Sequence, residues 1–233
     1  MKIAGLQKTT LIDYPSVVAC TIFLHSCNFR CGFCYNPDLV IHESKSNLSE
    51  EEILNFLKKR QGKLEGVCIT GGEPLISLEK TFLKKIKEMG YLIKIDTNGS
   101  FPEKLKEIID EKLVDYVAMD IKSTKEKYPQ VVGINVDLKK IGESIKLIYD
   151  FGNYEFRTTI IKKFHDAKEM ERIGKWLSEI CGTKPKQYFL QGFKNKNNFI
   201  DENFKNEKDV TESYMKELKK IADNYFEKVE IRV

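Results

Sequence analysis

The chain has 233 residues, 41% of them hydrophobic and 32% charged, with 14 glycines and 6 prolines. That composition supports a substantial buried core and excludes a fibrous chain, a disordered tail or a linker protein. The 39 Lys and Arg against 35 Asp and Glu leave a formal net charge of only +4, so no nucleic-acid partner is indicated.

The longest apolar run, 17–24, falls far short of the roughly 20 residues that cross a bilayer, and no membrane partner is expected. The opening MKIAGLQKTT has no basic-then-apolar leader, so a cytoplasmic protein is expected. In that compartment the six cysteines read as thiols or metal ligands rather than disulfides.

In chain order, short β-branched or aromatic runs predict strands at 17–25, 66–70, 92–96, 116–120, 154–160 and 187–190, with a terminal strand at 229–233. Between them lie amphipathic helices. The first opens at Ser49, with Glu52 completing a capping box and Ile53, Phe56 and Leu57 on one face. The next covers 77–89 and stops at Gly90. Others are predicted at 102–112, with proline in the first turn, 137–150, 167–180 and 210–226. Six βα repeats predict an α/β fold of parallel strands and outer helices, either a curved barrel-like sheet or a doubly wound open sheet. A single domain over 1–233 is expected, with one polar excursion at about 192–209 whose Asn, Lys and Glu content at 194–208 reads as a solvated, mobile loop.

The loop 25–37 that follows the first predicted strand brings Cys27, Cys31 and Cys34 within eight positions, with Gly32 between the last two. Thiolates at this density select an iron–sulfur cluster or zinc. A structural zinc site needs a fourth ligand, which His25, His42 or Cys68 would have to supply. A four-iron cube on three cysteines leaves one iron open to a small molecule. Cys20 and Cys68, in apolar strands, read as small core residues, and Cys181, at a helix end before Gly182, has no neighbour that suggests a ligand.

The pattern Cys27-x-x-x-Cys31-x-x-Cys34, with Phe33 before the last cysteine, resembles the signature of the radical S-adenosylmethionine (SAM) superfamily. The resemblance implies a [4Fe-4S] cluster on the three cysteines, SAM on the open iron, and a partial (β/α)6 TIM-like barrel. Thr70-Gly71-Gly72-Glu73-Pro74 is similar to that family's GGEP motif, which implies that Gly71, Gly72 and Glu73 receive the methionine ammonium of SAM.

Asp96-Thr97-Asn98-Gly99 and Met119-Asp120-Ile121-Lys122 each end a predicted strand. By themselves they read as a turn and a helix cap. They also resemble segments of glycyl-radical enzyme activases, which implies carboxylates near the SAM carboxylate and a monovalent cation bridging Asp96, Asp120 and a third carboxylate. Arg157, within a strand, calls for an anion: a carboxylate of SAM or of a bound peptide, or a structural salt bridge to Asp120. Gln191 is the weakest assignment, to nucleoside or substrate.

Leu11-Ile12-Asp13-Tyr14-Pro15, the cysteine loop, Asp96 to Gly99, and the runs 114–120 and 154–159 together resemble the longer form of the activating proteins of anaerobic ribonucleoside-triphosphate reductase. The resemblance covers about 2–191 and departs at Tyr35, where the family pattern has histidine. It implies a glycyl-radical reductase subunit as protein substrate and an external one-electron reductant such as flavodoxin or ferredoxin. The alternatives are an activase of another glycyl-radical enzyme, a 7-carboxy-7-deazaguanine synthase-like enzyme, and a non-catalytic zinc-binding module.

Overall fold

The computed structural model describes residues 1–41, 48–196 and 198–232. His42, Asn197 and Val233, each of which falls in a feature read from the sequence, lie outside the described residues. The chain divides into two compact units. The first comprises Met1–Asn28, Asn36–Thr97 and Glu103–Val117, and the second Phe29–Tyr35, Asn98–Pro102 and Ala118–Val233.

In the first unit, β1 (Ile3–Thr10) pairs antiparallel with β2 (Ala19–Leu24), β2 pairs parallel with β3 (Gly66–Gly71), and β3 pairs parallel with β4 (Leu92–Thr97). Helices α1 (Pro37–Ile41), α2 (Glu50–Arg60) and α3 (Lys80–Glu88) join them. The strand interiors are continuously apolar, as parallel strands covered on both faces must be: Cys20, Ile22 and Leu24 of β2 and Val67, Cys68 and Ile69 of β3 are fully buried. The capping box read at Ser49 is present, with the Ser49 side chain accepting from Glu52 N and the Glu52 carboxylate accepting from Ser49 N at 2.7 Å. Helix α3 ends in Gly90 at φ +87°, a left-handed conformation that favours glycine.

Strand β1 departs from the sequence reading. Its middle residues Gln7, Lys8 and Thr9 are exposed and only its ends, Ile3 and Thr10, are buried. An antiparallel edge strand with two register shifts carries no alternation for a periodicity reading to find. Helices α1 and α5 (Tyr128–Val132) are five residues each, too short to show a helical period.

In the second unit, the end of β5 (Tyr116–Asp120) is bridged to β6 (Tyr154–Ile160) by Ile121 N donating to Arg157 O at 2.8 Å. Strand β6 pairs parallel with β7 (Gln187–Gly192), and β7 with β8 (Lys228–Arg232). The crossover helices are α6 (Leu138–Phe151), α7 (Ala167–Cys181) and α8 (Glu212–Ala222); α4 (Pro102–Asp110), which follows β4, belongs from Glu103 onward to the first unit. Tyr188 stacks on Phe226 with centroids 4.1 Å apart and shares a 2.6 Å hydrogen bond with Thr158, so a strand hydroxyl and a ring stack tie β6, β7 and the segment after α8 together.

The polar excursion is not the solvated loop that its composition suggests. Phe199 and Phe204 are buried within it, Val210 N donates to Phe193 O at 3.0 Å, and the Asn195 amide donates to Lys205 O and Glu207 O. Two widely spaced aromatics anchor a segment whose remaining residues are mostly polar.

The turn after β3 is built on a close approach of two backbones. Gly72 N donates to Leu24 O at 2.9 Å and Glu73 N to Ser26 O at 2.8 Å. A Cβ on Gly71, which has φ +119°, would lie 2.3 Å from Leu24 O, and one on Gly72 would lie 2.0 Å from Ser26 O. Both glycines are therefore required by packing, because any side chain would meet backbone that cannot swing aside. Gly72→Ala is expected to lower stability by about 1–3 kcal/mol, read as a lower urea midpoint. Gly5→Ala, whose Cβ has nothing within 4 Å, is expected to leave the midpoint in place. Equal midpoints for the two variants would refute this account.

Candidate functional site

Cys27 lies in the first unit, one residue beyond Ser26, whose carbonyl receives Glu73 N–H and whose own N–H donates to Leu39 O at 2.8 Å. Ser26 holds φ +77°, a strained conformation for a residue with a side chain. The segment that delivers Cys27 is thus fixed by β3's turn and by α1.

Glu73 is fully buried. Its Oε1 accepts from Leu75 N at 3.0 Å, capping the short 3-10 turn Pro74–Ile76, and from Thr97 Oγ1 at 2.9 Å. The structure thus joins two residues read separately from the sequence, Glu73 and Thr97. The backbone donors of Gly72 and Glu73 are engaged with Leu24 and Ser26, so the motif's first evident work is to brace the cysteine loop.

Asp96 sits in a compact polar cluster. Buried Lys94 pairs with its Oδ1, and Thr70 Oγ1 donates to its Oδ2 at 3.2 Å. Cys68 Sγ lies 3.9 Å from both the Lys94 ammonium and Asp96 Oδ1. The sequence motifs do not single out Lys94, although a lysine in an otherwise apolar strand is the signal that could have found it: a buried ammonium needs a carboxylate.

In the second unit, Cys34 N donates to Cys31 O at 3.0 Å, closing a tight turn; Cys31 is buried and Cys34 half-buried. Burial pushes the Cys31 thiol up to about 11, against the pull of the nearby Lys122 cation. It therefore holds its proton at neutral pH. Tyr35 stacks on Phe193, and its hydroxyl accepts from Lys194 N at 2.8 Å. Asn98 Oδ1 accepts from Ser100 N and Oγ, the local turn geometry that Asp-Thr-Asn-Gly predicts. Gln191 is half-buried on β7 in register with Thr159 and Arg232.

Asp120 is held by two cations, with Arg157 Nε donating to Oδ1 at 2.5 Å and Lys122 Nζ to Oδ2 at 3.0 Å. Burial acts to raise its pKa, but Arg157 and Lys122 outweigh it and hold the carboxyl well below the usual carboxylate range. Lys122 is held above its ordinary value, Asp120 and Cys31 overcoming the effect of burial. The charge row continues: Arg157 lies 3.7 Å from buried Glu155, which receives a bidentate pair from Arg232 at 3.0 and 2.7 Å. The salt bridge to Asp120 offered for Arg157 is present. Asp96 and Asp120 each have protein cations beside them, Lys94 for Asp96 and Arg157 and Lys122 for Asp120.

None of the six cysteines is in a disulfide. Among the described residues, no three His, Cys, Asp or Glu side chains are already drawn together around a metal position. The donor set nonetheless fits an iron–sulfur cluster by its chemistry, since Cys27, Cys31 and Cys34 are uncommitted to disulfides and offer only soft sulfur. His25 is buried, its N–H donates to Lys2 O, and burial lowers its pKa.

The fold is shared with solved structures. Streptococcus suis SuiB bound to S-adenosylmethionine superposes on 89% of this chain with a TM-score of 0.69 at 15% identity, and the chain spans about half of it, 48%. This bears out the expected α/β, parallel-stranded class. Residues 21–177 match the Radical SAM superfamily, and the chain belongs to that superfamily. A Methanocaldococcus jannaschii protein provisionally named as a glycyl-radical enzyme activating enzyme is 34% identical over 86% of this chain and 83% of its own length. The pyruvate formate-lyase-activating enzyme of Clostridium pasteurianum is 28% identical over 72% of each. Membership makes this chain a radical SAM enzyme and implies a [4Fe-4S] cluster and S-adenosylmethionine as its cofactors.

The Asp120 pair carries a pH signature. Asp120 titrates below its ordinary value, so its contribution is complete above about pH 4 and is lost as pH falls through the depressed folded value. Lys122 contributes fully below about pH 10 and loses its share as pH rises through its raised value. Arg157→Met is expected to destabilise the chain by about 2–3 kcal/mol at pH 7, with a deficit that shrinks as pH falls below about 4 and Asp120 in the variant becomes protonated. Urea midpoints for both proteins at pH 7 and pH 3 measure this, and a deficit unchanged between them would exclude the charge pair as its source.

Proposed function

We propose that this chain, acting as one radical SAM domain, is an activase that abstracts a hydrogen atom from a glycine of an anaerobic ribonucleoside-triphosphate reductase and so makes a glycyl radical. The observation that carries the reading is the sequence Cys27-x-x-x-Cys31-x-x-Cys34 followed one βα unit later by Gly71-Gly72-Glu73, in a chain whose relatives carry the names of glycyl-radical enzyme activating enzymes. Once bound, the cluster held by Cys27, Cys31 and Cys34 and the S-adenosylmethionine would supply the one-electron radical chemistry.

The chain's own residues hold and aim. Cys27, Cys31 and Cys34 bind the cluster as thiolates. Gly71, Gly72 and Glu73 seat the methionine end of SAM, and their packing against Leu24 and Ser26 fixes that seat relative to Cys27. Asp96, Thr97, Asn98, Asp120 and Gln191, at or beside the carboxyl ends of strands, together with Arg157 in the middle of β6, orient the rest of the ligand. Lys94 is paired with Asp96, while Arg157 and Lys122 hold Asp120 in its charged form, so Asp120 presents a fixed negative charge to a cationic or hydroxyl-bearing ligand. The partners are a glycyl-radical reductase subunit and a one-electron donor such as flavodoxin or ferredoxin, and the setting is cytoplasmic.

Anaerobic reconstitution is expected to give a brown protein with about four irons per chain, and Cys31→Ala is expected to lose them. Reduced protein should form 5′-deoxyadenosine together with a protein-based radical only when the reductase is present. Stimulation by a small heterocycle in place of the reductase would move the assignment to the deazaguanine-synthase reading. Stoichiometric zinc without iron would overturn the radical reading.

A further inference from the structure

The turn carrying Cys31 and Cys34 is gripped from one side by the polar excursion. Asp201 N donates to Gly32 O at 3.0 Å, and a Cβ on Gly32 would lie 2.7 Å from the Phe204 ring and 3.0 Å from Asp201 Cβ. Phe204 is delivered there by the 3-10 turn Glu202–Asn206, whose cap is the Asp201 carboxylate accepting from Asn203 N at 2.9 Å. The ring is 3% exposed and lies 5.9 Å from Phe33 and 6.3 Å from Phe199, while Phe199 packs in turn on Tyr35 at 6.1 Å. The start of the loop is fixed independently, by Arg30 N donating to Val132 O at 2.8 Å.

We infer that Phe204 is a positioning residue for Cys31 and Cys34: the excursion is a clamp whose ring presses on Gly32 and holds the two sulfurs in the ligating turn. As a guide to cluster assembly this rests on the function proposed above, whereas the clamp itself is a property of the chain without metal. Three features converge on it. Gly32 is the residue between the two cysteines that brings the backbone closest to the ring, since any side chain there would collide with it. The backbone bond from Asp201 sets the clamp's register, and the rings of Phe33 and Tyr35, on either side of Cys34, both face the excursion's aromatics. A polar loop with no such duty has no reason to bury Phe199 and Phe204 against those rings.

The test is residue-resolved alkylation of the iron-free, reduced full chain by iodoacetamide at fixed pH, with the buried Cys181 of the same molecule as internal standard. Phe204→Ala and Gly32→Val are each expected to make Cys31 react about tenfold faster relative to Cys181, and Phe204→Leu is expected to restore most of the protection. Cys31 remaining as protected as in the parent chain would overturn the proposal, as would Cys31 and Cys181 opening together, which would mark Phe204 as a general core residue. In a second arm, parent and variants are reconstituted anaerobically and challenged with a chelator. Faster iron loss from Phe204→Ala than from Phe204→Leu supports the clamp, and equal loss overturns its role in ligand positioning. If Cys31 opens as expected but the parent chain takes up no iron, the clamp stands and the radical SAM assignment of these cysteines fails.

Discussion

Two carbonyl oxygens, those of Leu24 and Ser26, occupy the space that side chains at positions 71 and 72 would need. The exclusion is steric and local, yet much of the site follows from it. Because β3's turn can press against the end of β2, Glu73 N–H reaches Ser26 O, and the residue before Cys27 is locked in a conformation that a free chain would avoid. The buried Glu73 carboxylate then caps the next turn and takes the hydroxyl of Thr97 from β4. One tight contact between backbones thus orders the ends of three neighbouring strands.

The second unit reaches the same end by other means. Where the first relies on backbone contact, the second uses a row of alternating charges running from Lys122 through Asp120, Arg157 and Glu155 to Arg232. Each member is partly or wholly removed from water, so each gains from its neighbours what it loses in hydration. Arg232 also sits over Phe189 with its guanidinium carbon 3.6 Å from the ring centroid, a cation–π contact that holds the last strand against β7. His165 contributes a neutral link: its Nδ1 accepts from Ile161 N and its Nε2 meets Lys122 O at 2.9 Å, and burial keeps its pKa low.

Much of this is legible in the sequence where physics is local. The cap at Ser49 needs only Ser49 and Glu52, and the parallel strands announce themselves as apolar runs bounded by glycine or acid. The spacing of Cys27, Cys31 and Cys34 needs only chain reach. Illegible are the features whose cause is distant in sequence. Strand β1 is made by its partner rather than by its own alternation. Lys94 is an oddity in its strand until Asp96 is seen beside it, and Phe204 is one aromatic in a polar run until it meets Gly32, far earlier in the chain. The roles of Gly71 and Gly72 are half visible: a glycine pair after a strand implies a close approach, but not that the approaching group belongs to the chain itself.

The Lys94–Asp96 pair has a consequence for how such a chain can diverge. A cation 1% exposed is costly without a carboxylate beside it, so replacing either residue alone upsets the charge balance beside Cys68. Drift at these two positions must therefore pass through a weakened ancestor or change both codons at once, and in lineages that have changed them, acid and base should have departed as a couple.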